Sequence, residues 1–159
     1  MASELLLLFA LILVNGFFSL SEMAIVSSRK ARLRHEAERG RKAYKLALET
    51  AERPSRFLST IQVAITLVGT LTGAIGGATI AKQLEAAFLR MELLAPIAAT
   101  LSLGIVVVLT TFVSVVFGEL VPKSLALAKP ESVAAAVIRP VNILSLVFAP
   151  LARLLSAAT

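Results

Sequence analysis

The sequence contains no aspartate and no cysteine, and its single histidine is His35. Without cysteine, the chain cannot build a disulfide scaffold, a thiol nucleophile or a cysteine-based zinc site. The missing aspartate excludes intramembrane aspartyl chemistry, because all ten acidic residues are glutamates. These residue types cannot supply a nucleophile–base pair or a metal triad, so we expect no enzymatic function.

Charged residues are also scarce, at 16% of 159 residues, whereas 57% are hydrophobic and the mean hydropathy is +0.86. Soluble domains average about half apolar residues and about a quarter charged residues. The apolar residues here are clustered in runs longer than a globular core uses. The composition therefore predicts an integral membrane protein rather than an ordinary soluble enzyme.

Three runs are long enough to cross about 30 Å of hydrocarbon as helices. Leu5–Ser28 carries one charge, Glu22, and the runs Phe57–Ala81 and Leu93–Gly118 carry none. A cleaved signal peptide is disfavoured for the first run, because the amino end lacks basic residues. We predict an all-α, polytopic membrane protein with transmembrane helices at about 4–28, 57–81 and 93–118.

The fourth apolar stretch, 131–159, is interrupted by Arg139, Pro140 and Pro150. Proline removes a helix hydrogen bond, and the longest uncharged run here is too short to cross a bilayer. The pattern predicts a belt-like region of interfacial helices around the bundle. A bent fourth span is the alternative.

The segment 29–56 holds ten of the basic residues and four glutamates. The positive-inside rule places it in the cytoplasm, so the amino terminus lies outside and the carboxyl terminus is cytoplasmic. We expect a multi-pass protein of the cell (plasma) membrane whose basic excess faces anionic membrane lipid, with no nucleic acid as partner. Gly40 and Pro54 predict a juxtamembrane hairpin of two helices, whose thin apolar stripe is either solvated or a docking surface.

Two glutamates, Glu22 and Glu119, lie near membrane depth, where ionisable residues usually mark an ion path or a partner. Pro122 cannot donate to the carbonyl of Gly118, so this carbonyl is expected to face an ion. The alternative is that each glutamate sits at the interface, with Glu119 paired to Lys123 one turn later.

The remaining polar groups of the spans are mostly hard oxygen donors, which suit Mg²⁺ or Ca²⁺ better than softer transition metals. The residues predict a cation-handling helical membrane domain. A row of small residues, Gly69, Gly73 and Gly77, indicates close helix packing, either within the chain or in a dimer. The hydroxyl donors that we consider are Ser19, Ser21 and Thr66.

Three segments together resemble the transmembrane domain of the CNNM/CorC family of magnesium transporters, also described as hemolysin-like membrane proteins. The segments are Asn15–Ala24 (NGFFSLSEMA), Thr60–Leu67 (TIQVAITL) and Phe117–Leu127 (FGELVPKSLAL). The resemblance covers nearly the whole chain, and the block Gly-Glu-x-x-Pro-Lys is its most specific part. It implies a single domain over 1–159, as the membrane part of a longer protein.

The resemblance also implies a function and partners. Such a domain forms a homodimer of three-span protomers that exports Mg²⁺ in exchange for Na⁺, and full-length relatives continue into a CBS-pair module that binds ATP. That module is not present in these 159 residues. The resemblance further implies cation ligands, and we assign Ser19, Ser21, Gly118 and Glu119 as metal ligands, with Glu22 and Thr66 as supporting residues.

One departure from the family pattern bears on the cargo. Ile65 and Gly69 occupy the positions where we expect asparagines in the magnesium branch. The alternatives are therefore export of another cation, Na⁺ or a polyamine, or a non-transporting dimeric membrane anchor for cytoplasmic regulatory modules.

Overall fold

The computed structural model describes the backbone of residues 2–156 and the side chains of residues 3–144 apart from Ala78. These residues form helices joined by short turns and contain no strand, which confirms the all-α prediction. The α-helices in chain order are α1 (Ala2–Ser27), α2 (Lys30–Glu38), α3 (Lys42–Glu52), α4 (Ser55–Ile75), α5 (Ala81–Phe88), α6 (Ala98–Val115), α7 (Val121–Ala128) and α8 (Pro130–Ser156).

Three helical segments are long and apolar enough to span a membrane: Ser3–Ser27, Ser55–Ile75 and Ala95–Ala128. This confirms the predicted three-span protein. The second span continues as a π-helix, Gly76–Ile80, into α5. The third begins with a short 3₁₀ turn, Ala95–Ile97, before α6.

The third span extends ten residues beyond its predicted end at Gly118, because neither the charged residues nor Pro122 terminates the helix. A π-helix at Val116–Leu120 joins α6 to α7, and the Val121 N–H donates to the Val116 carbonyl. In this wider turn each donor reaches five residues back. Pro122 follows as the second residue of α7, a position that tolerates the missing N–H.

The juxtamembrane hairpin is present as predicted. Gly40 separates α2 from α3 with a φ of +80°, a left-handed conformation that glycine adopts without strain. The centre of the hairpin's apolar stripe packs within the chain, because Leu33 and Ala47 are completely buried, whereas Tyr44 is only partly buried. Leu33 and Ala47 share a core with Ala134 and Ile138 of α8.

The belt region differs from its prediction, since α8 continues as one helix through Pro140 and Pro150. It is not among the three spans found in the described part of the chain. Pro140 lies on the exposed side of α8, whereas the opposite face is buried against α1, α3 and α4. The proline ring is therefore accommodated outside the packed interface. Residues 157–159 of the predicted belt lie outside the described residues.

Candidate cation site

The centre of α1 packs against the π-helix Val116–Leu120 at unusually close range. A Cβ atom on Gly16 would lie 3.0 Å from the Phe117 carbonyl oxygen and 3.0 Å from Cγ of Pro122. On the opposite side, a Cβ atom on Gly118 would lie 3.1 Å from Nδ2 of Asn15. Two facing glycines thus allow the two backbones to approach, as small residues do between membrane helices.

The Gly118 carbonyl is not free, contrary to the prediction from Pro122. The side-chain amide of Asn15 donates to it through Nδ2, at 3.1 Å. The proline does remove the usual backbone donor, but an amide from a different helix replaces it. This bond ties the π-helix to α1 at the level of Gly16.

The same amide leaves its other polar atom without a partner. Oδ1 of Asn15 is buried and accepts no hydrogen bond within the described structure. Buried polar atoms in native proteins are nearly always bonded, to protein, water or a ligand. Asn15 Oδ1 is therefore an acceptor available to a water molecule, a hydrogen-bond donor or a cation.

Ser19 presents a second such oxygen one turn later on α1. Its side chain is 1% exposed, and its Oγ has no hydrogen-bond partner among the described residues. Leaving one buried group unsatisfied costs about 1–3 kcal/mol. Because residues four apart lie on the same face of a helix, Asn15 and Ser19 present their oxygens on one side of α1.

The other predicted serine is placed differently. Ser21 is also buried, but its hydroxyl donates to the Phe17 carbonyl at 2.6 Å. Residues two apart do not face each other on a helix, so Ser21 lies away from the face that carries Ser19. Glu22 is half-buried and follows Ser19 by three residues, which places it on the same side, towards the end of the span.

Thr66 is not brought to α1 within the protomer. It is exposed, and its hydroxyl donates to the Gln62 carbonyl at 2.9 Å. The face of α4 that is buried carries Ile61, Ala64 and Val68, and Thr66 lies on the opposite side of the helix. The structure therefore places Ser19 one turn after Asn15, the residue that contacts Gly118, and leaves Thr66 on the exposed side of α4.

Glu119 follows Gly118 directly, and its carboxylate forms an ion pair with a lysine of the same chain, Lys123. Nζ of Lys123 lies 2.5 Å from Oε1 of Glu119, and the carboxylate side chain is 46% exposed. The alternative considered from sequence, an ion pair one turn long, is thus present. The described residues contain no group of three or more His, Cys, Asp or Glu side chains that could hold a metal ion.

Asn15 was not among the predicted site residues, although it lies in the first of the three family segments, Asn15–Ala24. The available signal was its spacing: an amide four residues before Ser19, in an otherwise apolar part of a membrane helix. Its partner, Gly118, lies 103 residues away in sequence and could not be paired with it by spacing.

Comparison with known proteins identifies the family of the chain. The family model described as the cyclin M (CNNM) transmembrane N-terminal domain matches residues 6–159. The chain belongs to the CNNM family. The resemblance seen in the sequence is confirmed, and the matched range includes every residue of the site just described.

Several curated proteins are similar to this CNNM domain. A UPF0053 protein of Synechocystis sp. is 47% identical over 98% of the chain, which covers 35% of that relative. Proteins named polyamine export protein, from Haemophilus influenzae and Salmonella typhimurium, are each 31% identical, over 92% and 95% of the chain. The chain covers 34% of each of these two. It thus spans about a third of the length of these relatives.

Proposed function

We propose that this CNNM domain is the membrane part of a cation exporter, and that the cation binds between α1 and the π-helix Val116–Leu120. One observation carries the proposal: two buried oxygens, Asn15 Oδ1 and Ser19 Oγ, lack partners beside the segment that carries Glu119. The lone pairs of such oxygens are available to a metal cation or to a cationic hydrogen-bond donor. Either kind of cation could therefore use them as ligands.

Mg²⁺ is the cargo that the family resemblance implies. Mg²⁺ retains several waters and is usually bound through one or two carboxylates. A single carboxylate, Glu119, with the neutral oxygens of Asn15 and Ser19 and the Gly118 carbonyl, is consistent with this requirement. Ser21 was expected to be a ligand, but its hydroxyl donates to the Phe17 carbonyl, so this proposal gives it a supporting role beside Glu22 and Thr66. Na⁺ is the proposed coupling ion.

The assembly and orientation belong to the same proposal. We place the domain in the cell membrane with the amino terminus outside, as a homodimer whose full-length chain carries an ATP-binding CBS module. Gly69 and Gly73 support a dimer along α4, because they have open space beside them, whereas a Cβ atom on Gly77 would lie 3.8 Å from Leu103 Cδ1, in ordinary contact with α6. Part of the predicted glycine row thus packs within the chain and part stays available.

A polyamine is the second candidate cargo. Lys123 already places a primary ammonium group on Glu119, which is the chemistry that a polyamine would offer. The unpartnered oxygens of Asn15 and Ser19 would accept hydrogen bonds from N–H donors. Two of the relatives are named polyamine export proteins, which supports the same cargo.

Thermal unfolding of the purified protein, titrated separately with Mg²⁺, Ca²⁺, Na⁺ and spermidine, tests the site. A ligand that binds only the folded state stabilises it by about 2.7 kcal/mol at a hundredfold excess over its Kd. We expect stabilisation by Mg²⁺ that is lost in Glu119→Gln and Ser19→Ala. The matched control is Ser59→Ala, since Ser59 is an exposed serine on α4 and should behave as the wild type.

If only spermidine stabilises the protein, and Glu119→Gln and Ser19→Ala abolish that effect, the cargo is a polyamine rather than Mg²⁺. Cation flux into proteoliposomes, with and without an opposing Na⁺ gradient, then tests export and coupling. Wild-type flux in Glu119→Gln would contradict the proposed site. Absence of both stabilisation and flux for every cation would favour the membrane anchor.

A further inference from the structure

A cavity of about 590 Å³ lies between the juxtamembrane hairpin and the beginning of α8, separate from the cation site. It opens beside the end of the first span, since Ala31 and Arg32 in its wall follow α1 within a few residues. Its volume is typical of a small-molecule site. The side chains with N–H or O–H donors in its wall are Arg32, His35, Arg41, Tyr44 and Ser132.

The two acidic residues of the wall are already engaged. Glu36 lies between two guanidinium groups, with Arg41 Nη1 at 2.7 Å from Oε2 and Arg39 Nη1 at 3.4 Å from Oε1. Glu131 accepts the backbone N–H of Arg29 at 3.2 Å. Its other oxygen is 4.0 Å from Arg32 Nη1, beyond hydrogen-bond distance. Both carboxylates thus lie beside guanidinium groups of the same chain, which partly balance their charge, although the 2.7 Å approach of Arg41 to Glu36 Oε2 lacks hydrogen-bond geometry.

The basic residues of the wall retain donors. A guanidinium group carries five N–H donors in a planar fork, and one ion pair uses at most two of them. The guanidinium of Arg41 is positioned by the Tyr44 ring, whose centre lies 5.7 Å from its Cζ atom. Arg32 is 66% exposed and only loosely paired with Glu131. Arg32 and Arg41 both line the cavity, and planar guanidinium forks are the side chains that most often bind phosphate groups.

We propose that this cavity binds the phosphate group of an anionic membrane lipid. The position favours a lipid over a soluble phosphate, because the wall begins just after the first span and belongs to a hairpin segment with ten basic residues and four glutamates. Anionic headgroups concentrate at the cytoplasmic membrane surface and attract such basic segments. The bound headgroup would join α2 and α3 to the first turn of α8.

Lipid titration of the delipidated, detergent-solubilised protein tests this site without reference to transport. Thermal unfolding is measured with three ligands in turn: phosphatidylglycerol as the anionic lipid, phosphatidylcholine as the lipid without net charge, and glycerol 3-phosphate as the soluble phosphate. We expect stabilisation by phosphatidylglycerol, which is absent or much weaker with the other two. Because hydrogen bonds to charged groups are strong, Arg32→Gln/Arg41→Gln should raise the half-maximal phosphatidylglycerol concentration about tenfold or more.

The matched control is Lys42→Gln/Lys45→Gln, which removes the same charge from exposed positions of α3 that do not line the cavity. An equal loss in this control would overturn the site in favour of general attraction to the basic hairpin. Equal stabilisation by glycerol 3-phosphate, lost in the arginine variant, would overturn the lipid assignment. If the double variant is poorly produced, the single variant Arg32→Gln tests the proposal, since Arg32 is exposed and weakly paired. An unchanged half-maximal phosphatidylglycerol concentration in that variant overturns the proposal.

Discussion

Asn15 connects the two halves of the candidate site through opposite ends of one side chain. Its Nδ2 group donates to the Gly118 carbonyl, and its Oδ1 atom is buried without a partner. A single amide therefore ties the π-helix to α1, and in the proposed site its oxygen binds the cation. The structural part and the binding part of this role can be separated by experiment.

For Asn15→Ala we expect two effects. The apo protein loses about 1–3 kcal/mol, because the buried Gly118 carbonyl is left unsatisfied. The stabilisation by the transported cation is also lost. Thermal unfolding with and without cation measures both, beside Thr70→Ala, which removes an exposed hydroxyl bonded within its own helix. An unchanged cation response in Asn15→Ala would show that Oδ1 is not a ligand.

Lys123 competes with any cation for Glu119, since its ammonium is the group paired with that carboxylate. In Lys123→Met the carboxylate is released, and we expect the half-maximal cation concentration to fall about two- to fivefold, because a partly exposed ion pair contributes about 0.5–1 kcal/mol. The cation titration of thermal unfolding measures this. A higher half-maximal cation concentration in Lys123→Met would instead mean that Lys123 stabilises the cation-bound state.

At the scale of elements, the site depends on how closely α1 approaches the π-helix Val116–Leu120. Gly16 has a backbone oxygen and the ring of Pro122 within 3.0 Å of where a Cβ atom would be. Backbone atoms and a proline ring cannot move aside as a flexible side chain can. The helix crossing therefore has no room for a side chain at this position.

We expect Gly16→Ala to destabilise the protein by about 1–3 kcal/mol through overpacking. The control is Gly104→Ala on α6, where a Cβ atom would meet nothing within 4 Å. That change should be neutral or slightly stabilising, because alanine is favoured over glycine in a helix. Thermal unfolding measures the stability of both variants. Equal stability would mean that α1 and the π-helix move apart without loss of stability when Gly16 is replaced.

On the scale of the whole molecule, the exposed apolar surface must be covered by lipid or by a second copy. Phe9 of α1 and Gly73 of α4 both lie on exposed faces. They differ in shape, because the small residues around Gly73 allow another backbone to approach closely. The proposed dimer therefore uses the face of α4 and leaves Phe9 to lipid.

The absence of cysteine makes this testable with single substitutions. We expect Gly73→Cys to form a disulfide-linked dimer under mild oxidation in membranes, and Phe9→Cys to stay monomeric. Non-reducing electrophoresis measures the fraction linked. A disulfide-linked dimer of Phe9→Cys, without one of Gly73→Cys, would show that the dimer interface lies on α1 instead of α4.

The fold was largely predictable, because its signals are local. Long apolar runs with at most one charge identified three spans, and Gly40 identified the turn of the hairpin. The end of the third span was predicted ten residues early, since Glu119 and Lys123 looked like a boundary but pair along a continuing helix. The belt was predicted to break at Pro140, whose exposed position on α8 only packing reveals.

The sequence by itself determined that the chain inserts into a membrane, where its helices lie and which family it belongs to. These properties depend on hydrophobic length, charge and short motifs, all of which are read along the chain. The tertiary structure decided which oxygens are left without partners. Asn15 and Gly118 are 103 residues apart, and their bond exists only because two helices cross at facing glycines. A hydrogen bond depends on distance in space, which spacing in sequence does not determine between separate helices.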